Sequence, residues 1–185
     1  MLLLLATLPT ELDTQKFSNV SKMQPFWETK TLEQMTRSEW ESICDGCAKC
    51  CLHKLIDDDA HEQAVDTDHM TEGEQLHFTS VACRYLDDSK CACTVYSKRT
   101  KLVPSCVELS QDNLEQVFYM PPSCSYRRLQ EGRGLPSWHP LRNKGRKAKM
   151  HKKDMSVKGK VVYDDMVDEE DFEDYIVLWP LNDLD

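Results

Sequence analysis

No Gly-rich phosphate loop, no Gly-x-Ser-x-Gly elbow and no internal repeat occurs in the chain. The sequence therefore gives no sign of a loop that cradles nucleotide phosphates, a serine-hydrolase nucleophile or a solenoid. No apolar run approaches the roughly 20 residues a membrane-spanning helix needs, so no membrane partner is expected. Positive net charge is also missing: the balance is -9 over 185 residues, which disfavours sequence-independent nucleic-acid binding by the molecule as a whole. The opening Met1-Leu-Leu-Leu-Leu-Ala6 has no basic flank, stops at Thr7, and is followed at once by Glu11 and Asp13. That is not the pattern of an export signal. Residues 1–22 read as a disordered extension, with Met23 an alternative start, and residues 23–185 as one domain in the cytoplasm.

Cysteine, by contrast, is abundant. Four of the nine stand within eight residues, Cys44-Asp-Gly-Cys47-Ala-Lys-Cys50-Cys51. Thiols at two-residue spacing return to one side of a tight turn, so a single centre can collect several. In a reducing compartment such spacing points to metal or redox chemistry before structural disulfides. Zinc and iron–sulfur clusters both take thiolates from a short run plus remote residues. Cys51 changes the arithmetic, because neighbouring residues project in divergent directions. Cys50 and Cys51 then serve different ions or a polynuclear site. With Cys83, Cys93, Cys106 and Cys124 the eight candidate ligands Cys44, Cys47, Cys50, Cys51, Cys83, Cys93, Cys106 and Cys124 suffice for two four-coordinate sites. Cys91 is left over. Against this stands the plainer reading that some downstream cysteines are buried thiols packing as small hydrophobes.

The expected fold is α+β, a small single domain of short helices and a minor β-sheet, irregular around the cysteines. Thr36-Arg-Ser-Glu39 is a capping box opening a helix that carries Trp40 and Ile43 and ends at Cys44. Gly46 supplies the backbone freedom of a metal-binding knuckle. Leu52–Ile56 reads as a strand, residues 57–75 as an acidic surface loop, and Asp87–Lys90 as the turn of a hairpin. Helices are expected near 111–119, with Leu114, Val117 and Phe118 on its apolar face, and around Tyr126 and Leu129, stopping at Gly132. From Arg142 to Lys160 nine of nineteen residues are Lys or Arg, and from Asp164 to Asp174 eight of eleven are acidic. The two blocks read as mutually screening charge. Phe172, Ile176 and Trp179 have the spacing of a docking C-terminal helix over 164–180.

The Cys44–Cys51 run, Val81-Ala-Cys83-Arg-Tyr-Leu86, Cys93-Thr-Val-Tyr96, Pro104-Ser-Cys106 and Cys124-Ser-Tyr-Arg127 resemble the bacterial CxxCxxCC cysteine-cluster proteins. Leu135-Pro-Ser-Trp138-His-Pro-Leu141 is similar to the YcgN branch of that family. The resemblance spans about residues 24–180 and implies a domain that chelates zinc or iron. Its eight-cysteine pattern falls on the same eight positions. The acidic stretch is longer than that branch's usual connection.

Other residues carry weaker signals. His61, His69 and His77 recur at eight-residue intervals but in a segment without geometric constraint. His53 reads first as a plain surface or core histidine, with a partner of the ligands or an alternate ligand as the other readings. An enzyme related to flagellin lysine N-methylase is the alternative the resemblance brings, although no S-adenosylmethionine motif is visible. The basic block, with Lys144, Arg146, Lys147 and Lys149, leaves open an adaptor for an acidic macromolecule.

Overall fold

The computed structural model describes residues 24–56, 75–106, 108–113 and 119–185. Residues 1–22, nearly all of the acidic stretch with His61 and His69, and Leu114, Val117 and Phe118 of the expected middle helix lie outside them. The protein is α+β, built from short helices and small sheets.

After α1 (Phe26–Thr29), α2 (Arg37–Ile43) starts at the expected capping box. Thr36 N donates to Glu39 Oε2 at 2.9 Å and Glu39 N donates to Thr36 Oγ1 at 3.3 Å. Trp40 and Ile43 are buried against Leu32, Met35, Tyr126 and Leu135, each such burial contributing about 1.5–3 kcal/mol. The Tyr126 hydroxyl donates to the Trp40 carbonyl at 2.9 Å. This cluster fixes the end of α2, and with it Cys44.

Strand β1 (Leu52–Ile56) pairs antiparallel with β2 (Leu76–Ala82). A hairpin of β3 (Leu86–Asp87) and β4 (Ala92–Cys93) follows. Its turn is closed by Asp87 Oδ1, which accepts from Ser89 Oγ at 2.6 Å and from Lys90 N at 3.2 Å. Then come α3 (Arg99–Leu102), α4 (Ser125–Gln130), α5 (Ala148–Lys152) and β5 (Val162–Tyr163). β5 joins β2 in parallel, giving the order β1-β2-β5. Phe78, Ala82, Leu52, Leu86, Cys91 and Val157 form the core beneath this sheet.

The β1–β2 register breaks at His53: Leu52 faces Ala82 while Lys54 faces Phe78. An irregularity of this kind bends a strand and re-aims its side chains.

The C-terminal segment departs from expectation. In place of one α-helix there is a 3-10 helix at Glu169–Tyr175, which buries Phe172, and a second at Trp179–Leu181. Between them Ile176 is extended and bridges to Thr79. Val177 N donates to the Phe78 carbonyl at 2.8 Å. Pairing with β2 satisfies the backbone there and ends the helix. The segment then straps across the body: Arg128 Nη1 meets Asp183 Oδ1 at 2.5 Å, and the Trp138 indole donates to the Leu184 carbonyl.

Of the basic block, Arg142 pairs with Glu28, Lys160 with Asp154, and Lys153 donates to the Asp185 carbonyl. Its described partners are therefore not the acidic block that follows it.

Candidate metal centre

α2 delivers Cys44 at its C-cap, and the run then turns twice through left-handed backbone, at Gly46 (φ 67°) and Ala48 (φ 63°). A 3-10 turn over Lys49–Cys51 leads directly into β1. Four polar side chains hold this knuckle. Asp45, buried, accepts from Cys47 N at 2.8 Å and from Ser125 Oγ at 3.3 Å. Lys49, fully buried, donates to Ser123 Oγ at 2.8 Å and to the carbonyls of Pro180 and Asn182 at 3.2 and 3.3 Å. Lys54 donates to the Cys50 and Leu52 carbonyls, and Lys147 to that of Gly46 at 3.1 Å. None of these roles is marked by a sequence motif. Only the density of Lys and Asp in and around the run hints at them.

Cys44, Cys50, Cys51, Cys83, Cys93 and Cys106 share the wall of one cavity of about 650 Å³. Cys44 and Cys50 are solvent-accessible, as side chains facing that cavity should be. The remote members arrive by backbone pairing. Cys83 N donates to the Cys51 carbonyl at 3.0 Å, Cys93 lies on β4, and Cys106 follows α3. Cys47 and Cys124 stand outside the lining. Cys47 is buried with Trp138, Met150 and Met155, and Cys124 packs against the α2 core. Cys91 is buried under the sheet, its thiol donating to the Asp88 carbonyl at 3.4 Å. Of the histidines, His53 lines the cavity, while His77 sits on β2 opposite Leu55. Among the described residues no three His, Cys, Asp or Glu side chains are already grouped closely enough to hold an ion. The thiols are gathered, not closed.

Electrostatics opposes ionisation at several of these thiols. Burial pushes the Cys47 and Cys124 thiols up, Cys124 to about 12; Cys44, exposed at the residue level, is pushed up by the protein atoms enclosing its thiol in the cavity wall, and the Asp45 carboxylate adds to the effect at all three. Cys50 is the exception. The Cys51 thiol donates to it, and that hydrogen bond, with help from the Lys54 ammonium, lowers Cys50 to about 7 while raising Cys51. Lys54 itself is held below the ordinary lysine value by burial, with the Cys50 charge opposing. The mutual influence of the thiols runs through Cys50, which acts on Cys44, Cys47, Cys124, Cys51 and Cys106. Cys51 also feels Cys83 and Cys106, and Cys93 acts on both of those. Thiolate sulfur suits zinc, iron and iron–sulfur clusters, so the donor set fits such a group chemically.

These features define a cysteine-rich α+β protein with its thiols collected around one cavity. Residues 43–125 match the CxxCxxCC family model, described as "Putative zinc- or iron-chelating domain". UPF0260 proteins of Parvibaculum lavamentivorans and Shewanella oneidensis are each 49% identical to the chain, over 158 and 160 residues. These alignments take in 85% and 86% of this chain and 94% and 99% of those relatives. The UPF0260 protein of Marinobacter nauticus is 47% identical over 157 residues, 85% of this chain and 97% of its own. The chain belongs to the UPF0260 family, and its residues 43–125 are the CxxCxxCC cysteine-cluster domain. No solved structure matches it. No helix among the described residues is long and apolar enough to cross a membrane.

Proposed function

We propose that the chain is a cytoplasmic metal-binding protein, residues 23–185 forming one domain. Its cysteines Cys44, Cys47, Cys50, Cys51, Cys83, Cys93, Cys106 and Cys124 hold zinc, iron or an iron–sulfur cluster. The observation that carries this is the meeting of six of those thiols, from four separate parts of the chain, on one cavity wall. The eight thiols suffice for two four-coordinate sites, with Cys50 acting on members from both ends of the group.

The electrostatics supports the same reading. Burying several thiolates together is unfavourable, and most of the thiols keep their protons for that reason. A divalent ion reverses the balance by displacing those protons, and its binding energy then adds to folding energy. The ammonium groups of Lys49, Lys54 and Lys147, placed on carbonyls around the run, offset the negative charge a tetrathiolate centre retains. When bound, zinc would supply structural cross-linking, and an iron–sulfur cluster would supply electron transfer.

Thiol footprinting tests the assignment. Reduced protein loaded with zinc and treated with an alkylating reagent should protect the eight cysteines and release them to the reagent after chelation. Equal labelling of Cys83, Cys93 and Cys106 with and without zinc would overturn it.

A second reading, an enzyme working beside the centre, is favoured by the cavity's size. About 650 Å³ exceeds what ions alone fill and lies in the range of small-molecule sites. The adaptor reading is less favoured, since Lys147, one of the four basic residues it rests on, is already engaged with the Gly46 carbonyl.

A further inference from the structure

His53 opens onto the cavity that holds Cys50, Cys51 and Cys83, at the point where the β1–β2 register breaks. Its ring is fixed from two sides. Nε2 lies 3.2 Å from Asp164 Oδ2, and the ring packs on Phe172 with centroids 5.0 Å apart. Asp164 is fixed in turn. Its Oδ1 accepts from Arg84 N at 3.1 Å and Arg84 Nε at 2.8 Å, and its own N donates to the Ala82 carbonyl at 2.9 Å. The carboxylate thus joins His53 to the backbone beside Cys83, whose amide is tied to Cys51. In the neutral tautomer that donates Nε2–H to this carboxylate, Nδ1 carries the lone pair, and among the described residues it has no hydrogen-bond partner.

We propose that His53 Nδ1 is a nitrogen ligand to the metal at the Cys51–Cys83 end of the cavity, with Asp164 as the residue that positions it. Metal-bound imidazoles almost always give their second N–H to a carboxylate, carbonyl or water, which fixes the ring and raises its basicity. The Asp164 and Phe172 contacts hold the ring. Five donors then stand at this end (His53, Cys51, Cys83, Cys93 and Cys106), more than one tetrahedral ion takes. Cys106, whose thiol also neighbours Cys50, is the thiol that His53 displaces from this ion. The inference rests on the metal-binding reading and adds a ligand that the cysteine pattern does not contain.

X-ray absorption at the zinc edge on the zinc-loaded full chain, paired with chelator competition, tests it. Wild type should give a mixed shell, sulfur at about 2.3 Å and nitrogen at about 2.0–2.1 Å. His53→Ala should lose the nitrogen component while keeping zinc on the cysteines, with native circular dichroism. Asp164→Asn, which keeps His53, should weaken zinc affinity about 10–100-fold and disorder the nitrogen shell. A merely structural role for Asp164 would leave that shell unchanged. Stoichiometric zinc in an all-sulfur shell in wild type overturns the His53 assignment alone. A chain that takes up no zinc overturns it together with the metal-binding reading.

Discussion

Lys147 Nζ donates to the Gly46 carbonyl at 3.1 Å from within the space a side chain at position 46 would fill. Its contacts extend to the carbonyls of Lys90 and Cys91, both at 3.4 Å. One residue of the basic segment therefore staples the cysteine knuckle to the β3–β4 hairpin. Gly46 is required twice, for its left-handed backbone (φ 67°) and for this close approach.

Gly46→Ala should accordingly destabilise the metal-free protein by about 1–3 kcal/mol. The left-handed conformation alone accounts for roughly 1–2 kcal/mol, and displacement of Lys147 adds to it. Urea unfolding measures this. A variant as stable as the parent would show that neither the turn nor the staple constrains position 46.

Stability of the metal-free, reduced protein should fall at alkaline pH. Unfolded thiols ionise near their ordinary value of 9.0, whereas folded Cys44, Cys47 and Cys124 stay protonated, Cys124 to about 12. Above pH 9 the folded state thus binds more protons than the unfolded one, and stability declines as pH rises. Cys50, lowered to about 7, acts oppositely and favours the folded state increasingly between pH 7 and 9. Urea midpoints taken without oxygen should peak near the thiols' ordinary value of 9 and drop beyond it. Midpoints that keep climbing through that range would contradict the burial of these thiols. Zinc affinity should instead rise with pH, because binding displaces protons.

Asp45→Asn should make the knuckle's thiols more reactive. The Asp45 charge raises Cys44, Cys47, Cys50 and Cys124 alike. An amide oxygen can keep the hydrogen bond from Cys47 N, and the amide NH2 can donate to Ser125 Oγ where the carboxylate accepted from it, while the charge is removed. Alkylation at fixed pH should accelerate several-fold at Cys50, the most acidic of the four. An unchanged rate would mean that Asp45 acts only through its hydrogen bonds.

Much of the local architecture was legible. The Thr36–Glu39 capping box, the end of α2 at Cys44, the turn at Asp87–Lys90 and the stop at Gly132 each depend on residues a few positions apart, where sequence carries the information. The sites the chain assembles over long distances were not. Lys49 meets Pro180 and Asn182 across 131 and 133 positions, and His53 meets Asp164 across 111. Spacing also misled at Phe172, Ile176 and Trp179. A helical period there gave way to two 3-10 turns because the edge of β2 takes Ile176 and Val177 as backbone partners. The gathering of Cys83, Cys93 and Cys106 with the run follows from β1–β2 pairing and the hairpin, which no single stretch encodes.

Metal content of the full chain, purified without oxygen, bears most directly on the central claim. Elemental analysis should find at least one zinc or iron per chain, and a strong chelator should remove it with a marked loss of resistance to unfolding. A chain free of metal as isolated, and equally stable in chelator, would contradict the account.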